Sequence, residues 1–155
     1  MIQDSGTRST FDTGAVRDIQ KGKGRCDLMP LEVVSNILDP KEADRIVILA
    51  INMFLMGRNT KYLYYALDDF AREAYENSRP TMLLEVSKHF EEGAEKYGEN
   101  NWQKGLPVEC YMNSAIRHYL KYRRGDDDEP HDRAFVWNVM CCIWEVDYHI
   151  GCEAL

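Results

Sequence analysis

From Leu31 onward the chain repeats one pattern: an apolar run at helical spacing, opened by a capping residue or proline and closed by glycine. Residues three and four apart share one side of a helix, so each run folds only by burying that side against another element. "LEVVSNIL" predicts a short helix. "DPKEADRIVILAINMFLMG" predicts a longer one, with Asp39 as N-cap, Pro40 in the first position, Glu42 completing a capping box and Gly57 as the stop. "NTKYLYYALDDFAREAYEN" carries Leu63, Ala66, Leu67, Phe70 and Ala74 on one side. Ser78 and Pro80 open "PTMLLEVSKHFEEGAEKYG", whose predicted apolar face is Leu83, Val86, Phe90, Ala94 and Tyr97, closed by Gly98. "VECYMNSAIRHYLKYRRG" ends at Gly125. The last helix has Pro130 in its first turn and a stripe of Ala134, Trp137, Cys141, Trp144 and Tyr148, widened by Phe135, Val139 and Val146. A helix apolar on several sides is central or lies at a subunit interface.

No stretch alternates apolar and polar residues as a half-buried strand would. The expected class is therefore all-α, a single-domain bundle of about five or six helices. A chain of 155 residues is long enough for a real core. Residues 1–30 interleave glycines with Arg17, Lys21, Lys23 and Arg25 and show no sustained period. They read as an irregular basic segment before a helical domain at 31–155, within which 39–79 form an additional helical pair.

The net charge of −7 argues against binding a nucleic acid polymer, which needs a basic face. It does not exclude a small anion held through metal ions, because those ions reverse the local charge. The cysteine count is odd, with no CxxC spacing, and Cys141 and Cys142 sit in an apolar run as buried thiols would. The run "IVILAINMFLM" is far short of the ~20 residues that span a membrane, and the opening "MIQDSGTRST" is too polar for a signal peptide. A reducing, cytoplasmic setting with no membrane partner is expected.

Two acidic groups stand out. Glu91, Glu92 and Glu95 form EExxE near the end of the fourth long pattern, opposite its apolar face. Like charges at that spacing repel by a few tenths of a kcal/mol per pair, and negative charge near a helix C-terminus is disfavoured. A divalent cation would reverse both penalties. Asp126, Asp127, Asp128, Glu129 and Asp132 open the last helix, where Glu129 and Asp132 read ExxD. Packed together, the two acidic turns would make a multi-metal site for polyphosphate hydrolysis with hard cations such as Mg²⁺ or Mn²⁺. A cap at Asp128 and solvated carboxylates elsewhere account for the same residues without a metal. Lys96, Lys104 and Arg117 suit phosphate oxygens, with Arg123 and Arg124 fitting a solvated helix end better. Trp102 suits stacking on a base and Asn101 reading its edge, although a loop tryptophan equally covers a core. His118 is placed for substrate contact or for a structural role. Lys21, Lys23 and Arg25 would fold over a bound anion.

The strings "TGAVRDIQKGKGRCDLMP", "EEGAEKYGENNWQKGLP", "SAIRHYLKYRRGD" and "DEPHDRAFVWN", in that order, resemble the phage and prophage dATP/dGTP diphosphohydrolase family. That family is related to the MazG-type all-α nucleoside triphosphate pyrophosphohydrolases. The resemblance implies a MazG-like core that cleaves purine deoxynucleoside triphosphates to monophosphate and pyrophosphate. It implies two or more Mg²⁺ or Mn²⁺ per site, a homodimer or homotetramer, and a phage- or prophage-encoded protein in bacterial cytoplasm. Glu91, Glu92 and Glu95 match the first metal motif of the MazG-type enzymes, and Glu129 and Asp132 the second. Glu92, Glu95 and Asp132 would then serve the reaction itself. The interval between the motifs is longer than in MazG-type proteins, which leaves Asp126 or Asp128 as alternative ligands. Two other readings compete. One is a nucleotide-sequestering protein without turnover. The other is an HD-type phosphohydrolase built on His118, the His131–Asp132 pair and Asp147.

Overall fold

The computed structural model describes residues 4–38 and 44–150. Among them are six α-helices: α1 (Leu31–Ile37), α2 (Asp44–Gly57), α3 (Lys61–Ala74), α4 (Arg79–Tyr97), α5 (Val108–Arg124) and α6 (His131–Trp144). A π-helical turn, Glu145–Ile150, prolongs α6, and short 3-10 turns occupy Cys26–Leu28 and Asn101–Lys104. The all-α class is correct. The N-terminal segment adds a small antiparallel hairpin, β1 (Arg8–Thr10) with β2 (Val16–Asp18), in which Arg8 pairs with Asp18 and Thr10 with Val16. Strands of three residues are too short to display a period of two, so no alternation betrays them.

Helix ends follow the local chemistry. The Ser78 side chain accepts from the Thr81 N–H, and Pro80 sits in the first turn of α4. Gly125 closes α5 in the left-handed conformation at φ 88°. At α2 the expectation needs correcting: Gly57 is the last helical residue, and Arg58 takes the left-handed turn at φ 58°. The Asp39–Pro40–Glu42 cap lies outside the described residues.

The helices pack as two hairpins, α2 with α3 and α5 with α6, while α4 lies along α6 and α1 against α2. They share one core. At its centre the fully buried Phe70 of α3 meets Tyr119 and Tyr122 of α5, Phe135 of α6 and Tyr75, all edge-to-face. Cys141 and Cys142 are buried free thiols in this core. The buried face of α4 is Met82, Val86 and His89, one residue round from the expected one, and it leaves Leu83 48% exposed. His89 belongs to the buried stripe, and its polar identity is what shifts the apparent phase. Tyr148, expected on the stripe of the last helix, is exposed where the backbone widens into the π-helical turn.

The α4–α5 loop is held from both sides. Thr13 Oγ1 of the hairpin turn donates to the Gly105 carbonyl at 2.6 Å. On the other side, a Cβ on Gly105 would lie 2.9 Å from the His149 ring, and its φ of 98° further selects glycine. The aromatic centre sets the expected stability effect: Phe70→Ala should cost about 3–5 kcal/mol, measured by urea denaturation. A loss under 1 kcal/mol would show that the four rings do not depend on it.

Candidate active site

Asn101 organises the site. Its side chain accepts from the Val16 N–H at 3.0 Å and donates to the Val16 carbonyl at 2.9 Å. A side-chain amide thus imitates a neighbouring strand and fixes β2 to the α4–α5 loop. Arg17 reaches across from β2 to Asn138 of α6 at 3.2 Å and lies over the Trp137 ring. Asn138 is buried, and its amide donates to the Ala134 carbonyl at 2.8 Å, so both ends of the side chain are committed.

These contacts roof a cavity of about 560 Å³ between β2, α4, α5 and α6. One wall is aromatic: Phe90 and Tyr97 of α4, Trp102 of the loop and Trp137 of α6. The cavity's charged end is lined by Arg117, His118 and Lys121 of α5 and by Asp128 and Glu129 of the α5–α6 loop, with His118 Nδ1 3.4 Å from a Glu129 oxygen. Lys23 and the buried Asp18 also line the cavity, 2.9 Å apart. Burial opposes ionisation of Asp18, but hydrogen bonds from Ser5 and Lys23 outweigh it and lower its pKa.

Arg117 is held at one nitrogen only. Its NH2 donates to Gln20 and to Ser114, each at 3.2 Å, while NH1 is buried with no hydrogen-bond partner. Burial disfavours its charged form and lowers its pKa. Beside it, His118 Nδ1 lies 2.9 Å from His131 Nδ1 and 3.4 Å from a Glu129 oxygen. Burial first, then the Arg117 and His131 charges, hold His118 well below the ordinary imidazole range.

The expected site residues divide cleanly. Lys23, Asn101, Trp102, Arg117, His118, Asp128 and Glu129 line the cavity. Asn101 is spent on Val16, and Trp102 packs edge-on against Phe90 and Trp144, largely as a core cover. Lys21, Lys104 and Arg25 are exposed away from it, with Arg25 paired to Asp27 at 2.8 Å. Lys96 lies 3.8 Å from Asp4. On α4 the cavity receives His89, Phe90, Gly93, Ala94 and Tyr97, while Glu91 and Glu95 are exposed to solvent. Glu92 pairs with Arg133 at 3.1 Å. Asp132 accepts from the Tyr75 hydroxyl at 2.9 Å, beside a shallower depression of about 420 Å³ formed by residues 126–133. No three of Glu91, Glu92, Glu95, Glu129 and Asp132 bring ligand atoms within 4.8 Å of one another; among the described residues the groups that do are His118–Glu129–His131 and Asp126–Asp128–His131. Asp132 and Asp147 of the HD arrangement belong to neither group; Asp147 accepts from Thr60 and Asp132 from Tyr75.

A sequence model of the family described as "dATP/dGTP diphosphohydrolase, N-terminal" matches residues 68–152, which contain α4, α5, α6 and the charged end of the cavity. The chain belongs to this family. No curated protein and no solved structure matched in the corresponding comparisons. The family's name indicates a diphosphohydrolase acting on dATP and dGTP. Among the described residues no helix is long and apolar enough to cross a membrane.

Sequence reasoning missed Gln20, His89, Tyr97, Lys121 and Asn138 as lining residues and treated His131 only as part of the HD alternative. Asn138 and His89 carried a signal, since each is a polar residue set within an apolar helix face. Burial, followed by the neighbouring Arg133 charge, pushes the His89 imidazole down to about 4 from 6.5. A histidine so depressed binds fewer protons folded than unfolded, so stability is lost as pH falls from about 6.5 toward 4. By pH 5 this loss should be on the order of 2 kcal/mol, and His89→Gln should flatten that part of the pH–melting curve. An unchanged slope in the variant would assign the acid sensitivity to other groups.

Proposed function

We propose that the cavity binds a purine deoxynucleoside triphosphate and hydrolyses the bond between its α and β phosphates, giving monophosphate and pyrophosphate. The observation that carries this reading is Arg117: a guanidinium with a buried, unpartnered NH1, set at the charged end of a cavity whose other wall is aromatic. That combination suits a molecule with a flat ring at one end and several negative charges at the other. Family membership supports the same substrate class.

In this reading the base enters beside Phe90, Tyr97 and Trp137, and the triphosphate runs toward Arg117 and Lys121. Arg117 takes phosphate oxygens through NH1 while Gln20 and Ser114 hold its NH2, so the fork is oriented before substrate arrives. Lys121 adds charge as it builds on the leaving pyrophosphate. The hairpin excludes water from the ring end, held there by Asn101 and by the Arg17–Asn138 bond. A divalent cation, Mg²⁺ or Mn²⁺, would supply charge neutralisation and a water of lowered pKa, and the carboxylates that reach the cavity toward it are Asp128 and Glu129. Water bonds to the α-phosphorus and gives its proton to a cavity carboxylate or to solvent; the bond from the α-phosphorus to the bridging oxygen breaks, and pyrophosphate leaves carrying that oxygen. A protein that only sequesters nucleotide would bind without releasing either product.

The test is a screen of the common nucleoside triphosphates with Mg²⁺ and with Mn²⁺, resolving products by ion-exchange chromatography. dATP and dGTP should give monophosphate plus pyrophosphate; nucleoside plus triphosphate, or stable binding without products, would overturn the reading. Arg117→Gln should lower kcat/KM by about 100-fold or more, the scale of one charged contact to a transferring phosphoryl group. Asn101→Ala should raise KM more than it lowers kcat, because it loosens the hairpin and leaves the phosphate end intact. The reverse split would give Asn101 a role in the chemical step.

A further inference from the structure

Three ligand atoms converge at the charged end of the cavity. His118 Nδ1 and His131 Nδ1 are 2.9 Å apart, and a Glu129 oxygen lies 3.4 Å from the first and 3.6 Å from the second. Ligands about 2.1 Å from a common cation are separated by roughly 3.0 Å in octahedral and 3.4 Å in tetrahedral geometry. The observed triangle therefore has the size of one face of a metal coordination shell. Its other features agree. The second nitrogen of His131, Nε2, is 2.7 Å from Asp128 Oδ1, which directs the His131 lone pair to Nδ1, toward the triangle. His131 is buried and Glu129 nearly so, which holds the donors in place. Both His118 and Glu129 border the cavity, which puts the triangle at its wall, next to the space assigned to the phosphates.

We propose that His118, Glu129 and His131 form a metal centre, with Asp128 orienting His131, and that it takes a borderline divalent transition-metal ion of the Mn²⁺ or Co²⁺ type in preference to Mg²⁺. Two imidazoles and one carboxylate on one face suit such ions, whereas Mg²⁺ prefers an all-oxygen shell. The open positions receive water and phosphate oxygens. The assignment rests on the hydrolase reading only for what fills those positions; the three protein ligands stand on their own geometry.

The test measures metal binding without nucleotide. Chelator-treated full-length protein is titrated with Co²⁺, following the ligand-field absorption and, by calorimetry, the stoichiometry and Kd. The expected result is one site with nitrogen-ligated Co²⁺ bands that a large excess of Mg²⁺ does not displace. Glu129→Gln and His118→Gln should each weaken it by at least about 100-fold, and Asp128→Asn by about 10–100-fold, with far-UV circular dichroism verifying that each variant is folded. Undiminished Co²⁺ binding in folded Glu129→Gln and His118→Gln would overturn the proposal. So would loss of binding in a Glu91→Gln/Glu95→Gln double variant that leaves the triad intact. If the triad binds Co²⁺ but dATP and dGTP stay intact under every metal, the centre stands and the hydrolase reading fails. If Glu129→Gln binds no metal yet hydrolyses dGTP at the wild-type rate in Mg²⁺, the centre has no part in the reaction and the hydrolase reading stands.

Discussion

The two hydrogen bonds between the Asn101 side chain and the Val16 backbone are the contact on which the site depends. Without them β2 has one strand neighbour only, and an isolated two-stranded hairpin is marginal in water. Fixed to the loop, β2 brings Arg17 over Trp137 and Asp18 and Lys23 into the cavity lining. The same loop is pinned from below by the fit of Gly105 against His149. A polar residue in a short loop thus converts a helical bundle with an open groove into a bundle with a roofed cavity.

Behind that roof, the chemistry is set by α5 and α6. Their shared ring cluster around Phe70 fixes the helices, and the six-residue stretch from Gly125 to Pro130 must turn back within the space between them. Glu129 and His131 flank Pro130 in that turn, and His118 sits nearly two turns back from the end of α5. Side chains distant along the helices are thereby brought to one point, beside a buried arginine. Charge of both signs is concentrated there, which suits the proposed binding of a metal-bound polyphosphate.

Much of the fold was legible. Ser78 with Pro80, Gly98 and Gly125 marked helix ends where the structure has them, and Leu63, Ala66, Leu67 and Phe70 are buried as their spacing indicated. The phase of α4 was misjudged because His89 occupies a core position. The site was legible in part. Arg117, His118, Asn101, Asp128 and Glu129 all reach the cavity. The crowding of Glu91, Glu92 and Glu95 was evident from spacing alone, but spacing fixes only the angle of side chains about their own helix. Which way that arc faces depends on where α6 and the hairpin pack, and these take the Phe90–Tyr97 side. The crowded turn therefore lies on the outside, with Glu92 compensated by Arg133. The convergence of His118, Glu129 and His131 depends on how α5 turns into α6, which a linear pattern does not encode.

Everything proposed for the site requires that nucleotide bind in the roofed cavity. The most direct measurement is a crystal structure of the protein with Mn²⁺ and a dGTP analogue whose α–β bridging oxygen is replaced by an imido group. The base should lie against the Phe90–Trp137 wall, with phosphate oxygens within hydrogen-bond distance of Arg117 NH1. Nucleotide density on the outer face of α4, at Glu91 and Glu95, with the cavity empty, would contradict it.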